Sequence, residues 1–327
     1  MPIAIEPVTD GFHDEVYRIC RAAWEADVPD IPYGSRAAYD ALLRHPRPGQ
    51  DFERYLAVLD GAPAGFLRIR LPTQDNLRTA HLDLLTDPGR RRRGVGRALF
   101  EYAVARAHAL GRTYLRSETT DNRPDGRAFA TAMGAAAGLA DTRSRLDLPP
   151  ADQGRLDALL AEAWTHADGY RLAQWTGVPP AELIDDVAYL DGRLVLDAPM
   201  GDLAVEQEKT DAATIRAIEE FLVAIGRTSI HTGAVHGDRV VAWTTVTGDN
   251  DSPGQAWQQI TIVDPEHRGH RLGLIVKLEN LRYLRGRRPE LRAIDTFNAT
   301  ANEHMLAIND AMGFRRVDHW MQWQLTV

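Results

Sequence analysis

The residues with the clearest chemical meaning lie within positions 81–110. A short apolar run interrupted by Asp83 leads to the turn pair Asp87-Pro88, then to four consecutive arginines, Arg90 to Arg93, and then to Gly94-Val95-Gly96. Beyond the glycines, apolar residues recur at helical spacing: Val95, Leu99, Tyr102, Ala103 and Leu110. A strand, a tight loop and a helix start in that order aim several unpaired backbone N–H groups at one point. That point suits a phosphate or pyrophosphate. Gly94 and Gly96 let the backbone come close, and Arg91, Arg92 and Arg93 can add charge. An arginine run is ordinarily a solvated face; here the turn before it and the helix start after it argue for more. The run Arg285-Gly286-Arg287-Arg288 lacks that setting and reads as a basic helix end.

The same design recurs at 257–284. A short run rich in β-branched residues precedes Asp264-Pro265, then come Arg268, Gly269, His270, Arg271, Leu272 and Gly273, then a long helical pattern. Arg91 and Arg268 stand 177 positions apart, which points to internal duplication. No Gly-Lys-Ser/Thr follows either loop, so a nucleotide-kinase loop is disfavoured. Both loops come after a hairpin rather than after a first strand, which disfavours a dinucleotide fold.

The elements that must position these loops follow from pattern and punctuation. Asp60-Gly61 and Gly237-Asp238 each join two strands as hairpin turns. Helices are expected at 12–26, 35–43, 94–110, 127–137, 212–225, 272–284 and 301–312, with Ser35 and either Asp211 or Thr210 as caps. A helix is also expected from Pro179-Pro180 to about 186, and little regular structure over 189–200. Strands are expected at 142–148 and 317–327. The first unit therefore runs β-α-α-β-β-β-α-β-α-β, and the second repeats its order. The fold class is mixed α/β, a tandem duplication. The expected domains are 1–148 and 170–327, joined by a helical linker at 149–169.

Composition narrows the function. A chain of 327 residues favours two domains over one. The single cysteine, Cys20, excludes an internal disulfide and a cysteine-zinc cluster. His267 and His270 flank Arg268 without an accompanying ligand set, so no metal is expected. A net charge of −8 argues against a nucleic-acid partner. No long apolar run suggests a membrane span or signal peptide, so a cytoplasmic protein is expected.

Arg91-x-x-Gly94-x-Gly96, after a hairpin pair and ahead of a β-α-β tail, resembles the GCN5-related N-acetyltransferase (GNAT) superfamily. The second copy keeps Arg268 and Gly273 but has Arg271 in place of the middle glycine. Its surroundings, HRGHRLG, then Lys277, then TFNATANEHMLAINDAMGF, resemble a tandem actinobacterial group within the superfamily. The resemblance implies acetyl-CoA as co-substrate, its pyrophosphate held by residues 91–96 and 268–273, and transfer to an amine by direct attack. It also implies a base on the strand before the loop and a tyrosine seven residues after a tail asparagine. Counting from the motif arginines puts Ala80 and Trp257 at the base position, so His81, Asp83 and Glu118 are the nearby candidates in the first half. Taking Asn122 and Asn302 as the tail asparagines puts Phe129 and Asn309 where the tyrosine stands. Asn309 offers only a hydrogen bond. The second half has the better tail, with Asn302, Asn309 and Gly313-Phe314, and Trp243, Trp257, His231 and His236 as cleft candidates. It is therefore the expected catalytic half. The expected function is N-acetylation of a small-molecule amine by a monomer or homodimer; the alternatives are O- or other acyl transfer, or a non-catalytic acyl-CoA-binding scaffold.

Overall fold

The computed structural model describes residues 3–327. The first half contains β1 (Ile3–Pro7), α1 (His13–Asp27), α2 (Arg36–Arg44), β2 (Gln50–Leu59), β3 (Ala62–Pro72), β4 (Thr79–Thr86), α3 (Val95–Ala109), β5 (Tyr114–Thr120), α4 (Pro124–Ala132) and β6 (Ala136–Asp147). A helix α5 (Gln153–Trp164) follows. The second half contains β7 (Tyr170–Thr176), α6 (Ile184–Asp191), α7 (Leu194–Asp197), α8 (Ala212–Ala224), β8 (Arg227–His236), β9 (Arg239–Asp249), β10 (Gln255–Val263), α9 (Leu272–Arg287), β11 (Ala293–Ala299), α10 (Glu303–Met312) and β12 (Arg315–Thr326).

Local chemistry accounts for most boundaries. The Ser35 side chain accepts from the Ala38 N–H, and Asp211 accepts from that of Thr214, each satisfying a free donor of the first turn. Asp60 and Gly61 both take positive φ, as the tight β2–β3 turn requires. Three expectations shift. The helix expected at 127–137 is α4, which starts at Pro124 and stops at Ala132, and β6 begins at Ala136. The helix expected from Pro179 begins at Ile184. The stretch 189–200 holds the end of α6 and all of α7.

All twelve strands form one sheet, in the order β1-β2-β3-β4-β5-β12-β6-β11-β10-β9-β8-β7. The last strand of each half lies between strands of the other: β12 pairs with β5, and β6 pairs with β11, while β6 and β12 pair with each other. The halves therefore join edge to edge through exchanged strands. Both hairpins carry a register shift at the equivalent place, Ala57/Val58 and Ala234/Val235, again 177 positions apart.

Helices cover both faces. Val95, Leu99, Ala103 and Ala107 of α3 repeat every four residues and pack on Leu67, Ile69, Ala80, Leu82 and Leu115. On the opposite face, Val16, Ile19 and Cys20 of α1 meet Leu56 and Phe66. In the second half α9 packs on β8 to β11, and Leu156, Leu160 and Ala163 of α5 join the same core, so the connector helix is built into that half. The other face is covered by α6 and α8.

Candidate active site

The two loops share one backbone device with the residue types exchanged. Arg92 (φ 63°) and Gly94 (φ 87°) are left-handed in the first half; at the equivalent places Gly269 (φ 88°) and Arg271 (φ 54°) are left-handed in the second. Replacement of the middle glycine by Arg271 therefore leaves the loop conformation intact, at a cost of about 1–2 kcal/mol for the side chain. Gly94 and Arg271 stand directly before α3 and α9, so both helix N-termini open onto the loops. Gly96 and Gly273 lie one residue inside the helices, with Val95 and Leu272 anchored in the cores beneath.

The motif arginines are held by carboxylates. Arg91 donates two hydrogen bonds of 2.8 Å to Asp27 and another to the Thr86 carbonyl. Arg268 pairs with Asp197 at 3.1 Å. Arg93 pairs with Asp60, and Arg271 with Glu162 at the surface. Arg92 is exposed, with no polar partner among the described residues. His267 is hydrogen-bonded with Tyr170, and His270 Nδ1 with the His166 carbonyl. Among the described residues no group of three or more His, Cys, Asp and Glu is arranged to hold a metal ion.

Beyond each loop the sheet opens. β4 and β5 pair in parallel only over Thr79–His81 with Tyr114–Arg116, and β10 and β11 only over residues 255–258 with 293–296. Each pair then diverges, leaving a wedge that leads to the helix N-terminus. The two wedges differ. β4 pairs with β3 in unbroken register. β10 carries a one-residue bulge against β9 between Gln258 and Thr261. Such a bulge leaves backbone groups outside the ladder and re-aims them. The Gln258 side chain secures it, its amide donating to the Thr245 carbonyl (2.8 Å) and the Thr244 hydroxyl (2.9 Å), with a longer contact to the Ile260 carbonyl (3.3 Å).

The wedge tails differ as well. In the first half Phe129 packs over Gly96 and edge-on to Phe100, with ring centroids 6.2 Å apart. In the second, Asn302 caps α10 by accepting from the Met305 N–H. Asn309 is fully buried; its amide donates to Asn298 Oδ1 at 2.7 Å, and its own Oδ1 has no partner.

The three first-half candidates lie on the sheet face covered by α1. Asp83 accepts from Arg68 Nε at 2.6 Å and pairs with Arg70. Burial, then Arg70 and Arg116, lower the His81 pKa to about 4, so the ring is neutral at pH 7. Glu118 is reached by solvent but hemmed in by protein; that partial desolvation, then the Asp83 charge, raise its pKa to about 6. The structure thus brings His81, Asp83 and Glu118 onto one face among arginines.

In the second half the corresponding face holds a different set. His231 is buried and stacked between Trp175 (5.2 Å) and Trp243 (6.0 Å). Trp243 Nε1–H donates to His231 Nδ1, so the ring proton sits on Nε2, which faces Glu219 at 3.4 Å. Glu219 is buried, and its Oε2 has no partner; neither has Trp175 Nε1. His231 is opposite Thr245, and Thr245 is opposite the β10 bulge, so the three lie in one row across the sheet. Trp257 stacks on Phe297 at 5.8 Å. His236 lies elsewhere, against Tyr170 and His267.

Residues 13–135 match the acetyltransferase (GNAT) family. A tandem GNAT protein from the clavulanic acid biosynthesis pathway is 31% identical, with a TM-score of 0.81, and the alignment covers 99% of this chain and 98% of that one. The chain belongs to the GNAT family. A mycothiol acetyltransferase of Thermomonospora curvata is 28% identical over 271 residues, covering 80% of this chain and 78% of that protein. A GCN5-related N-acetyltransferase of Sphaerobacter thermophilus, at 15% identity and a TM-score of 0.66, shares the fold over 99% of this chain. The fold is thus a tandem GNAT duplication, and the general activity is acetyl transfer from acetyl-CoA. Among the described residues no helix is long and apolar enough to cross a membrane.

Sequence spacing gives no role to Glu219, Asn298 or Lys277. Glu219 and Asn298 read as ordinary polar positions. Lys277 leaves a signal: a lone lysine between Leu274-Ile275-Val276 and Leu278 inside an apolar helix.

Proposed function

We propose that this tandem GNAT protein N-acetylates a small-molecule amine and that the second half carries the reaction. The observation behind this reading is the β10 bulge, which only the second wedge has against its neighbouring hairpin strand. The N–H groups at the start of α9, with Gly269 and Gly273, would hold the pyrophosphate of acetyl-CoA. The bulge would offer backbone donors to the acetyl carbonyl, where negative charge develops. The free Oε2 of Glu219, beside the His231 end of the row that leads to the bulge, would bind the acceptor ammonium and take up its proton through water. His231 lies beside Glu219, its Nε2 3.4 Å from Oε1 without a hydrogen bond between them. The first half, with unbroken β4 and Phe129 over Gly96, serves as a second CoA-binding or structural unit. Two of the three named relatives carry small-molecule names, mycothiol and clavulanic acid, which supports a small acceptor over a protein tail.

The test is a matched pair, Gly96→Val and Gly273→Val, assayed for acetyl-CoA binding by calorimetry and for turnover against a panel of amines, with folding checked by circular dichroism. Neither glycine needs positive φ, and an added Cβ at each has its nearest neighbours at 3.4–3.6 Å, so the Cβ itself fits and valine's two further methyls narrow the approach. Turnover is expected to vanish only in Gly273→Val. Loss confined to Gly96→Val would move the reaction to the first half. CoA binding without turnover on any amine would favour the scaffold alternative.

A further inference from the structure

Lys277 is 2% exposed and lies in α9 one turn beyond Gly273, on the stripe of the helix that faces the wedge. Its amine has no hydrogen-bonding or ion-pair partner among the described residues. Its described neighbour is the ring of Phe314, 5.2 Å from Nζ. An ammonium buried without a counter-ion is strongly disfavoured, so proteins rarely keep one without use for it.

The duplication supplies the comparison. The position equivalent to Lys277 is Phe100, and Phe100 meets Phe129, which stands seven residues after Asn122. An added Cβ at Gly96 meets Phe129 and one at Gly273 meets Ile308, so Ile308 stands where Phe129 does. Where the first half pairs two phenylalanines across the wedge, the second has Lys277 and Ile308. Lys277 is buried, and the next residue of α10, Asn309, is buried with an Oδ1 that has no partner. A polar group with unused bonding capacity has thus replaced one ring of an apolar contact in the half that carries the β10 bulge. The wedge is where the pantetheine thiol of CoA would arrive, because it runs inward from the helix N-terminus that would hold the pyrophosphate.

We infer that Lys277 is the proton donor to the sulfur of CoA in the second half, filling the role for which neither half has a tyrosine. This rests on the acetyltransferase reading above. The acceptor amine forms the C–N bond, and the C–S bond then breaks with its electron pair going to sulfur. A proton from the Lys277 ammonium moves to that sulfur, leaving a neutral amine that solvent reprotonates. The proton lost by the acceptor leaves through Glu219 and water.

Burial lowers the Lys277 pKa to about 7, and no neighbouring charge contributes to that shift. An acid of that strength is half protonated near neutrality and suited to proton transfer there. No charged side chain from α9, α10 or the start of β12 competes for the ammonium.

The experiment compares wild type with Lys277→Met, whose side chain has similar length and suits an apolar site. Three quantities are read: steady-state turnover, thermal midpoint, and the ultraviolet titration of the thiol of CoA bound at saturation. Lys277→Met is expected to lower kcat about 100-fold with KM for acetyl-CoA little changed. Its thermal midpoint should rise, because an unpaired buried amine has been removed, whereas a structural lysine would give a fall. In wild type the bound thiol and Lys277 should titrate as a coupled pair, so that thiolate first appears at lower pH than in Lys277→Met. Superimposable thiol titrations in the two proteins would overturn the assignment. Failure of the acetyltransferase reading looks different: no amine is turned over by wild type, yet the thiol titration still depends on Lys277, which supports the placement of the amine beside the sulfur.

Discussion

At the scale of single residues, the loops and the charged groove make separate predictions. Arg271 holds a left-handed conformation that Gly94 supplies in the other copy. Replacing it with glycine relieves about 1 kcal/mol of steric cost but adds comparable chain entropy to the unfolded state. Arg271→Gly should therefore match wild type within about 0.5 kcal/mol in urea unfolding, while Arg271→Ile, branched at Cβ, should lose about 1–2 kcal/mol. Glu118 makes a pH-dependent prediction. Its pKa rises from 4.5 unfolded to about 6 folded, so the folded state holds the proton more tightly. Ionisation then costs the fold stability as pH rises from about 4.5 to 6, and the full cost persists above 6. Because solvent reaches the side chain, that cost is below about 1 kcal/mol. Glu118→Gln should raise the melting temperature by about 1–2 °C at pH 7.5 and lose the advantage near pH 4, as scanning calorimetry would read.

At the scale of elements, the bulge on β10 is a designed feature held by one side chain. Gln258 is buried, and its amide donors end on the Thr245 carbonyl and the Thr244 hydroxyl. Gln258→Leu leaves those acceptors without donors and should cost about 1–3 kcal/mol. It should also lower kcat more than it weakens acetyl-CoA binding, because the bulge serves the acetyl group and the α9 N-terminus serves the phosphates. Equal losses in both, measured by steady-state kinetics and calorimetry, would detach the bulge from the chemistry. The elements also show what a sequence reveals. Both loops, both hairpins and the helices α3 and α9 were legible because turn residues and periodic apolar positions are local signals. The bulge was not, since Gln258-Gln259 differs from an ordinary strand only in how it meets β9. The ends of α4 and α6 shifted by a few residues because Pro124 can open a helix and because Pro179-Pro180 leads into a turn before one. Glu219 escaped notice because its meaning comes from His231, which α8 reaches only in three dimensions.

At the scale of the whole molecule, the exchanged strands make the two halves depend on each other, and nothing local in residues 136–147 or 315–326 announces this. Arg143 on β6 sits at the crossing. It is fully buried, donating to Asp318 of β12 (2.9 Å), Asp295 of β11 (2.9 Å) and Asp30 after α1 (3.0 Å). Burial alone would raise the Asp318 pKa, but the Arg143 hydrogen bond and charge outweigh it and hold the group below 3.8. This stabilisation is present above pH 3.8 and is lost as pH falls through the lower folded value. Arg143→Met leaves the buried Asp318 without its cation, while Asp295 keeps Arg145, and should cost about 3–5 kcal/mol in urea unfolding at pH 7. The topology has a stronger consequence. Residues 1–148 alone leave β5 without β12, and β6 without either neighbour, so the fragment exposes long unpaired edges. Residues 149–327 alone leave β12 and β11 in the same condition. Each fragment made separately should aggregate or remain unfolded. Made together, they should associate by completing the same sheet, and the pair should elute as one species on gel filtration. The intact chain should melt in a single calorimetric transition. Two independent transitions, or a first-half fragment that folds as a monomer with dispersed amide resonances, would mean that the halves are stable without the exchange and that the Arg143 crossing only docks finished domains.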